Sequence, residues 1–229
     1  MTLRITGDVH GMTEQYVLDV QDSDCEYSLQ IGDMGFYYED LKELDSNNHK
    51  FIGGNHDNYD VYDRCPHALG DFGKQSLGGL DFYYIRGAFS IDWKDRVVRE
   101  MAGGRKSWWK EEQLNRAEQE AALQSYANSK PSAMITHSCP TSIARHIGNP
   151  GVLTSWGYDA ETFNTDTQQL LQDCLDCHKP DIWIFGHFHR TLDFKLNGTR
   201  FICLGELRAI EYKDGKFYNE NRMDAVRQR

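Results

Sequence analysis

Five short apolar segments of this chain each lead directly into a glycine or a side chain that can bind a metal. The segments are residues 3–6, 27–31, 50–52, 133–136 and 182–185. Short apolar runs of this kind predict buried β-strands. Open α/β sheets place their ligand crevices at the carboxyl ends of strands. We therefore expect the ends of these five strands to meet in one crevice.

The remaining strands and helices of the sequence predict an α/β fold. Further strands are expected at residues 81–85 and 200–204 and in a hairpin around Asp214-Gly215. Helices are expected at about 13–21, at about 107–127 with Ser107 as N-cap, and at about 165–178 with Thr165 or Asp166 as N-cap. Strands alternate with helices and no repeat is present, so residues 1–229 are predicted to form a single α/β domain.

The polar side chains that follow the five strands form a distinctive set of potential ligands. Taken singly, each has a structural explanation, since aspartates shape turns and histidines are often hydrogen-bonded in cores. Together they offer two carboxylates, one amide and four imidazoles, without a thiolate. Such oxygen and nitrogen donors suit manganese, iron, zinc, cobalt or nickel, and they exceed the needs of one ion. The residues are Asp8, His10, Asp33, Asn55, His137, His187 and His189.

The charge and the apolar pattern of the chain limit its partners. A net charge of −10 argues against binding nucleic acid or anionic membranes through the overall field of the protein. Phosphate substrates stay open, because bound divalent cations invert the local charge. No apolar run approaches the length of a membrane span, and no export signal follows Met1. These features predict a soluble cytoplasmic protein whose six cysteines are reduced.

One cysteine pair has an alternative interpretation. Cys174 and Cys177 lie in a CLDCH sequence, which is the pattern of c-type haem attachment. The same residues fit the apolar stripe of a helix that ends before Pro180. Haem attachment also requires export, so ordinary helix thiols are favoured over a haem or redox site.

The complete ordered set of motifs resembles the signature of calcineurin-like metallophosphoesterases. The motifs are Asp8-x-His10, Gly32-Asp33, Gly54-Asn55-His56-Asp57, His137 and Gly186-His187-x-His189. The resemblance implies two mixed β-sheets packed as a sandwich flanked by helices, with a dinuclear metal site at the carboxyl ends of the strands.

That resemblance also implies which residues would hold two divalent metal ions. One ion would be bound by Asp8, His10, Asp33 and His189, and the other by Asp33, Asn55, His137 and His187, so that Asp33 bridges both. Manganese is expected, with iron, zinc, cobalt or nickel as alternatives.

The implied activity is metal-dependent hydrolysis of phosphate esters by a phosphodiesterase or phosphatase. A bridging hydroxide would attack phosphorus. His56 would assist the departing oxygen, and Asp57 would orient His56. The sequence GDMGFY at residues 32–37 lacks the arginine of protein phosphatases, which favours a small phosphate ester or nucleotide as substrate. A short nucleic-acid strand stays open as a substrate. The alternative is a catalytically inactive interaction scaffold with the same fold.

Two segments supply candidate substrate contacts. Four arginines between site-forming strands are candidate phosphate clamps, although solvated surface charge is the favoured explanation for any single one. These are Arg86, Arg96, Arg99 and Arg105. Residues 138–164 are rich in glycine and proline, and a loop there is expected to wall the crevice. Its candidate contacts, with those of the 36–37 turn, are Phe36, Tyr37, His146, Trp156 and Tyr158.

Overall fold

Residues 1–219 are described by a computed structural model, and the last ten residues of the predicted domain 1–229 lie outside the described residues. The described chain contains the strands β1 (Thr2–Thr6), β2 (Tyr27–Gln30), β3 (His49–Phe51), β4 (Phe72–Leu77), β5 (Leu80–Ile85), β6 (Ala133–Thr136), β7 (Ile182–Phe185), β8 (Leu192–Leu196), β9 (Thr199–Cys203), β10 (Ala209–Lys213) and β11 (Lys216–Asn219). Its α-helices are α1 (Thr13–Gln21), α2 (Trp93–Met101), α3 (Arg116–Ser129), α4 (Thr141–Ile147), α5 (Pro150–Ser155) and α6 (Asp166–Cys177).

The strands form two mixed sheets. The first has the order β11-β10-β1-β2-β3, with β1, β2 and β3 parallel and β10 antiparallel to β1. The second has the order β4-β5-β6-β7-β9-β8, with β5, β6, β7 and β9 parallel. This architecture confirms the expected sandwich of two mixed sheets with flanking helices.

The central strands of the second sheet do not alternate apolar with polar residues. The first sheet covers one face of this sheet and helices cover the other, so both faces are buried. Side chains alternate between the two faces of a strand. In β7, Ile182 and Ile184 pack into the core between the sheets, whereas Trp183 and Phe185 pack against the outer helices. α3, α4 and α6 cover that outer face. α1 packs with Phe51 and Tyr62 in a separate cluster against the first sheet.

The structure confirms two of the predicted helices, but the predicted start of the third is wrong. α1 and α6 lie where they were expected, and Thr165 caps α6 by accepting a hydrogen bond from the Gln168 backbone N–H at 3.1 Å. The helix expected at 107–127 starts at Arg116 instead. Asn115 caps it, and the Glu118 side chain accepts a hydrogen bond from the Asn115 N–H in a capping box. Among the described residues, no helix has the length and apolar character needed to cross a bilayer.

Candidate metal centre

The carboxyl ends of five strands bring the predicted ligands to one place. Asp8 and His10 follow β1, Asp33 follows β2, and Asn55 follows β3. From the second sheet, His137 follows β6 directly, and His187 and His189 follow β7. The histidines and aspartates of this set fall into neighbouring clusters whose candidate ligand atoms lie within 4.8 Å of one another. All seven predicted ligands thus lie at one edge of the sandwich.

The first cluster contains Asp8, His10 and His189. Oδ2 of Asp8 lies 3.3 Å from Nε2 of His189 and 3.7 Å from Nε2 of His10. The two histidine Nε2 atoms are 2.9 Å apart. A carboxylate oxygen and two imidazole nitrogens therefore converge, as one ion requires.

The second cluster contains Asp33, His137 and His187. Oδ1 of Asp33 lies 3.1 Å from Nε2 of His137, and the rings of His137 and His187 are 5.1 Å apart. Oδ2 of Asp33 lies 3.8 Å from Nε2 of His10, which belongs to the first cluster. Asp33 therefore faces both groups of histidines, as a bridging carboxylate would.

Three buried ligand atoms of this site make no hydrogen bond of good geometry: Oδ2 of Asp8, Oδ1 of Asn55 and Nε2 of His137, although Nε2 of His137 lies 3.1 Å from Oδ1 of Asp33 and Oδ2 of Asp8 lies 3.3 Å from Nε2 of His189. In each case the other polar atom of the side chain is paired. Oδ1 of Asp8 accepts from the His187 N–H, Nδ2 of Asn55 donates to Ser90 Oγ, and Nδ1 of His137 lies 3.0 Å from the Ile31 carbonyl. An unpaired buried polar atom costs about 1–3 kcal/mol. Two cations held in the two clusters would satisfy all three, so these ligand atoms fit divalent metals.

The same edge carries much of the strained backbone of the described chain. Four of its eight non-glycine residues with positive φ are potential ligands, namely His10, Asp33, His187 and His189. Such conformations cost free energy and concentrate at functional sites. Tight turns after the strands thus aim these side chains inward at the expense of stability.

The structure, but not the sequence alone, relates this chain to solved proteins. No protein-family model and no curated protein matches the sequence. The structure is similar to a protein assigned as a 5′-nucleotidase from Staphylococcus aureus, solved in complex with α-ketoglutarate, at a TM-score of 0.51 and 12% identity. The match covers 99% of this chain and 57% of the Staphylococcus chain. The chain has the calcineurin-like metallophosphoesterase fold.

Two further solved structures resemble the chain less closely. One is a phosphopantetheinyl hydrolase from Mycobacterium tuberculosis, with a TM-score of 0.48 and 14% identity; the match covers 90% of this chain and 89% of the other. The second is a novel archaeal phosphodiesterase, with a TM-score of 0.42 and 14% identity; the match covers 95% of this chain and 98% of the other. The metallophosphoesterase fold rests on the Staphylococcus structure. This chain spans well under two thirds of that protein.

Gly54 allows the second cluster of this metallophosphoesterase fold to form. A Cβ atom at this position would lie 2.2 Å from Oδ1 and 2.5 Å from the backbone N of Asp33. The Asp33 N belongs to the backbone, and Oδ1 is a side-chain oxygen that is already held by the hydrogen bond from the His56 N–H at 2.7 Å. We predict that Gly54→Ala destabilises the protein by about 1–3 kcal/mol through overpacking and weakens metal binding.

Urea unfolding and elemental analysis would test the Gly54→Ala prediction, with Gly70→Ala as the matched control. A Cβ at Gly70 would meet only the Tyr84 hydroxyl, at 3.8 Å, so that variant should keep wild-type stability and metal content. Equal behaviour of the two variants would contradict the prediction.

His56 forms a third potential metal-binding cluster with His10 and Asp33, whereas Asp57 belongs to none of the three. The His56 ring lies beside His10 with a ring separation of 4.8 Å, and its backbone N–H donates to Oδ1 of Asp33. Asp57 is buried beneath the site and accepts hydrogen bonds from the backbone N–H groups of Asp33, Gly35 and Gly54 and from the Tyr38 hydroxyl. Within residues 1–219, no hydrogen bond of Asp57 reaches the His56 ring. Asp57 therefore fixes the loops that carry Asp33 and Asn55.

The electrostatics of the cluster reflect its burial. Burial lowers the pKa of His56 to about 4, opposed by the charge of Asp33 and reinforced by that of Arg96. The His56 ring is thus neutral at pH 7 in the free protein, and an approaching phosphate anion favours its protonated form. Burial acts against ionisation of Asp33, but the neighbouring imidazoles hold the pKa of its carboxyl well below the usual value.

Of the four predicted arginine clamps, the structure places only Arg96 beside the clusters. Nη2 of Arg96 lies 2.7 Å from Nε2 of His56, and Nη1 donates to the Asn55 carbonyl at 3.3 Å. Arg86 is instead paired with Asp71 at 2.6 Å. Arg99 is exposed, and Arg105 donates to the Tyr37 hydroxyl at the surface.

Two residues near Asn55 were not predicted from the sequence. Ser90 Oγ accepts from Asn55 Nδ2 at 3.2 Å and donates to Oε2 of buried Glu112 at 2.7 Å. This chain of hydrogen bonds fixes the Asn55 amide with its oxygen free. No motif marks either residue, because both lie far from Asn55 in the sequence.

Proposed function

We propose that this protein is a metal-dependent hydrolase of phosphate esters, acting as a phosphodiesterase or phosphatase on a small molecule or nucleotide. The observation that carries the proposal is the convergence of the six predicted histidine and aspartate ligands into adjoining clusters, together with Asn55, whose Oδ1 is one of three buried ligand atoms that make no hydrogen bond. Divalent ions held there neutralise phosphoryl oxygens and lower the pKa of water toward neutrality. We propose manganese as the native metal.

In the proposed reaction, the residues of the site have separate roles. Asp8, His10 and His189 would hold one ion, and Asn55, His137 and His187 the other, with Asp33 between them. His56 lines the adjoining cavity and would donate a hydrogen bond or a proton to the departing oxygen. Asp57 would act indirectly, by holding the loops that position Asp33 and Asn55.

An inactive scaffold of the same fold is the alternative proposal. A chain that has lost its chemistry is expected to have lost ligands, but all seven are present, and the six histidines and aspartates among them lie in adjoining clusters. Nothing in the geometry favours this alternative.

Hydrolysis assays on the metal-reconstituted protein test the proposal. The substrates are bis-p-nitrophenyl phosphate, p-nitrophenyl phosphate, cyclic nucleotides and oligonucleotides, each assayed with manganese, zinc, iron, cobalt or nickel and after chelation. We expect activity that chelation abolishes and added metal restores. Absence of metal-dependent hydrolysis of every ester would reject the enzyme in favour of the scaffold.

Arg96 and Arg99 lie on the same helix, α2, but their substitution is predicted to have different effects on activity. Because Arg96 contacts the His56 ring, Arg96→Gln should lower kcat/KM by about 10- to 100-fold, the range of a charged hydrogen bond, while metal content is kept. Arg99→Gln changes an exposed arginine one turn along the same helix and should match the wild type. Kinetics with elemental analysis and thermal unfolding measure both variants, and equal losses would contradict the prediction.

A further inference from the structure

A cavity of about 740 Å³ opens directly beside the candidate metal centre. Its lining includes Asp33, Asn55, His56, His187 and His189, so the cavity and the centre are continuous. This volume lies within the range of sites that bind whole organic molecules. A phosphoryl group fills a small part of it. The remaining space is available to the organic part of an ester.

The walls of the cavity away from the metal centre are mainly apolar. They are formed by two segments: the turn before α2, at residues 89–92, and the region of α5, which lies within the segment 138–164 that the sequence predicts to wall the crevice. The principal apolar lining residues are Phe89, Ile91, Val152, Leu153, Trp156 and Phe163. Of the five aromatic or histidine contacts expected from sequence around the crevice, only Trp156 lines this cavity.

Helix α5 presents its apolar side chains to the cavity and not to the core. None of its residues is buried. Val152 and Trp156 retain 45% and 41% of their surface exposed, although both are large and apolar. Exposed apolar surface that lines a concave site marks ligand binding, because water contact there is unfavourable. The unburied apolar face of α5 therefore points to an apolar ligand.

The α5 wall is held in place and is not a loose surface loop. The Tyr158 hydroxyl donates to the Ile91 carbonyl at 3.2 Å. The Tyr158 and Phe163 rings are 4.8 Å apart, and Phe89 lies 6.1 Å from each of them. These contacts join the α5 region to the turn before α2, so the cavity has a defined shape.

Positive charge lies on the same lining. Arg96, Arg145 and Arg190 border the cavity, and Arg190 donates a hydrogen bond to the Ile147 carbonyl. Asp92 and Glu161 also line the cavity, and Asp92 is paired with Arg96 at 2.9 Å. The cavity thus combines an anion-binding end at the metal centre with an apolar body. An ester with a charged head and an apolar body has the complementary pattern.

We infer, building on the proposed function, that the substrate is a phosphate ester that carries a large, mainly apolar organic group. That group occupies the cleft between α5 and the turn before α2, and the phosphoryl group lies at the metal centre. Hydrolysis breaks one P–O ester bond, the oxygen of water forms the new P–O bond, and the departing alkoxide takes up a proton.

Matched synthetic esters test this inference. Methyl and hexyl p-nitrophenyl phosphate have the same leaving group and differ only in apolar length. Each methylene that enters an apolar site favours binding by about threefold to fourfold. We expect kcat/KM for the hexyl ester to exceed that for the methyl ester by at least about tenfold, mainly through KM. Equal values for the two esters would overturn the inference and leave the proposed hydrolase standing.

Two variants test whether the preference for the hexyl ester arises in the cleft. Trp156→Ala should reduce the hexyl-to-methyl ratio severalfold. Tyr218→Ala removes an aromatic side chain of similar exposure, 39%, on β11 away from the cavity and should keep the ratio. If thymidine 5′-p-nitrophenyl phosphate is hydrolysed much faster than the hexyl ester, the cavity binds nucleosides and the inference is overturned.

A binding measurement separates failure of the cleft from failure of the enzyme. Calorimetry compares hexylphosphonate with methylphosphonate, and it needs no turnover. Tighter binding of hexylphosphonate, with a negative heat-capacity change that Trp156→Ala diminishes, supports the apolar cleft even if no ester is hydrolysed. Equal binding of the two phosphonates overturns the inference.

Discussion

An Asp33→Asn variant should purify as a folded protein that holds almost no divalent metal. The two carboxylate oxygens of Asp33 face opposite sides of the site. Oδ1 lies 3.1 Å from Nε2 of His137, and Oδ2 lies 3.8 Å from Nε2 of His10. Replacing the carboxylate by an amide therefore removes one anionic donor from both proposed ions. The loss of affinity should exceed the roughly 10- to 100-fold that follows loss of an outer-shell partner.

Asparagine is the appropriate replacement because it preserves a local hydrogen bond. Oδ1 of Asp33 accepts the His56 backbone N–H at 2.7 Å, and an amide oxygen can accept it equally. Unfolding of the metal-free variant should then stay close to that of the metal-free wild type. A loss of metal in this variant is therefore a loss of ligand charge, not of the loop.

Elemental analysis after reconstitution and gel filtration measures the effect. Asp193→Asn is the matched control, because it removes a carboxylate that pairs with Arg200 at 2.7 Å on a distant strand. This control should keep the metal content of the wild type. Normal metal content in Asp33→Asn would exclude Asp33 as a shared ligand and would remove the main support for the proposed hydrolase.

The sequence predicts the central strands well because burial on both faces leaves a clear pattern. β6 and β7 were expected at their observed bounds, since each is an uninterrupted apolar run. β4 and β8 were missed. Both are edge strands whose residues are largely half-buried or exposed, so their polar content hides the strand pattern. Packing against a neighbour, not local sequence, determines such strands.

The potential ligands were predictable because each lies within four residues of the end of a strand. Residues supplied by distant loops were not. Ser90 reaches Asn55 across 35 positions of sequence, and Glu112 reaches Ser90 across 22. The choice of Arg96 among four arginines likewise depends on the way α2 docks beside His56. Tertiary packing alone carries this information, and a single sequence does not reveal it.

A His56→Ala variant should keep its metals and lose most of its turnover on an unactivated ester. The side chain of His56 lines the cavity, whereas its contact with Asp33 runs through the backbone N–H, which alanine retains. A positioned proton donor contributes about 10²- to 10⁴-fold to a rate. We expect a loss of this size for an alkyl ester, whose alkoxide is a strong base. The loss should be much smaller for a p-nitrophenyl ester, because p-nitrophenolate departs without a proton.

The comparison of the two esters distinguishes leaving-group assistance from binding. His146→Ala is the matched control, since His146 is exposed, its ring lies 5.4 Å from that of Phe194, and it does not line the cavity. It should match the wild type on both esters and in metal content. If His56→Ala slows both esters equally, the ring acts through substrate binding. If it hydrolyses the alkyl ester at the full rate, His56 takes no part in the chemistry, and protonation of the departing oxygen must come from another group or from water.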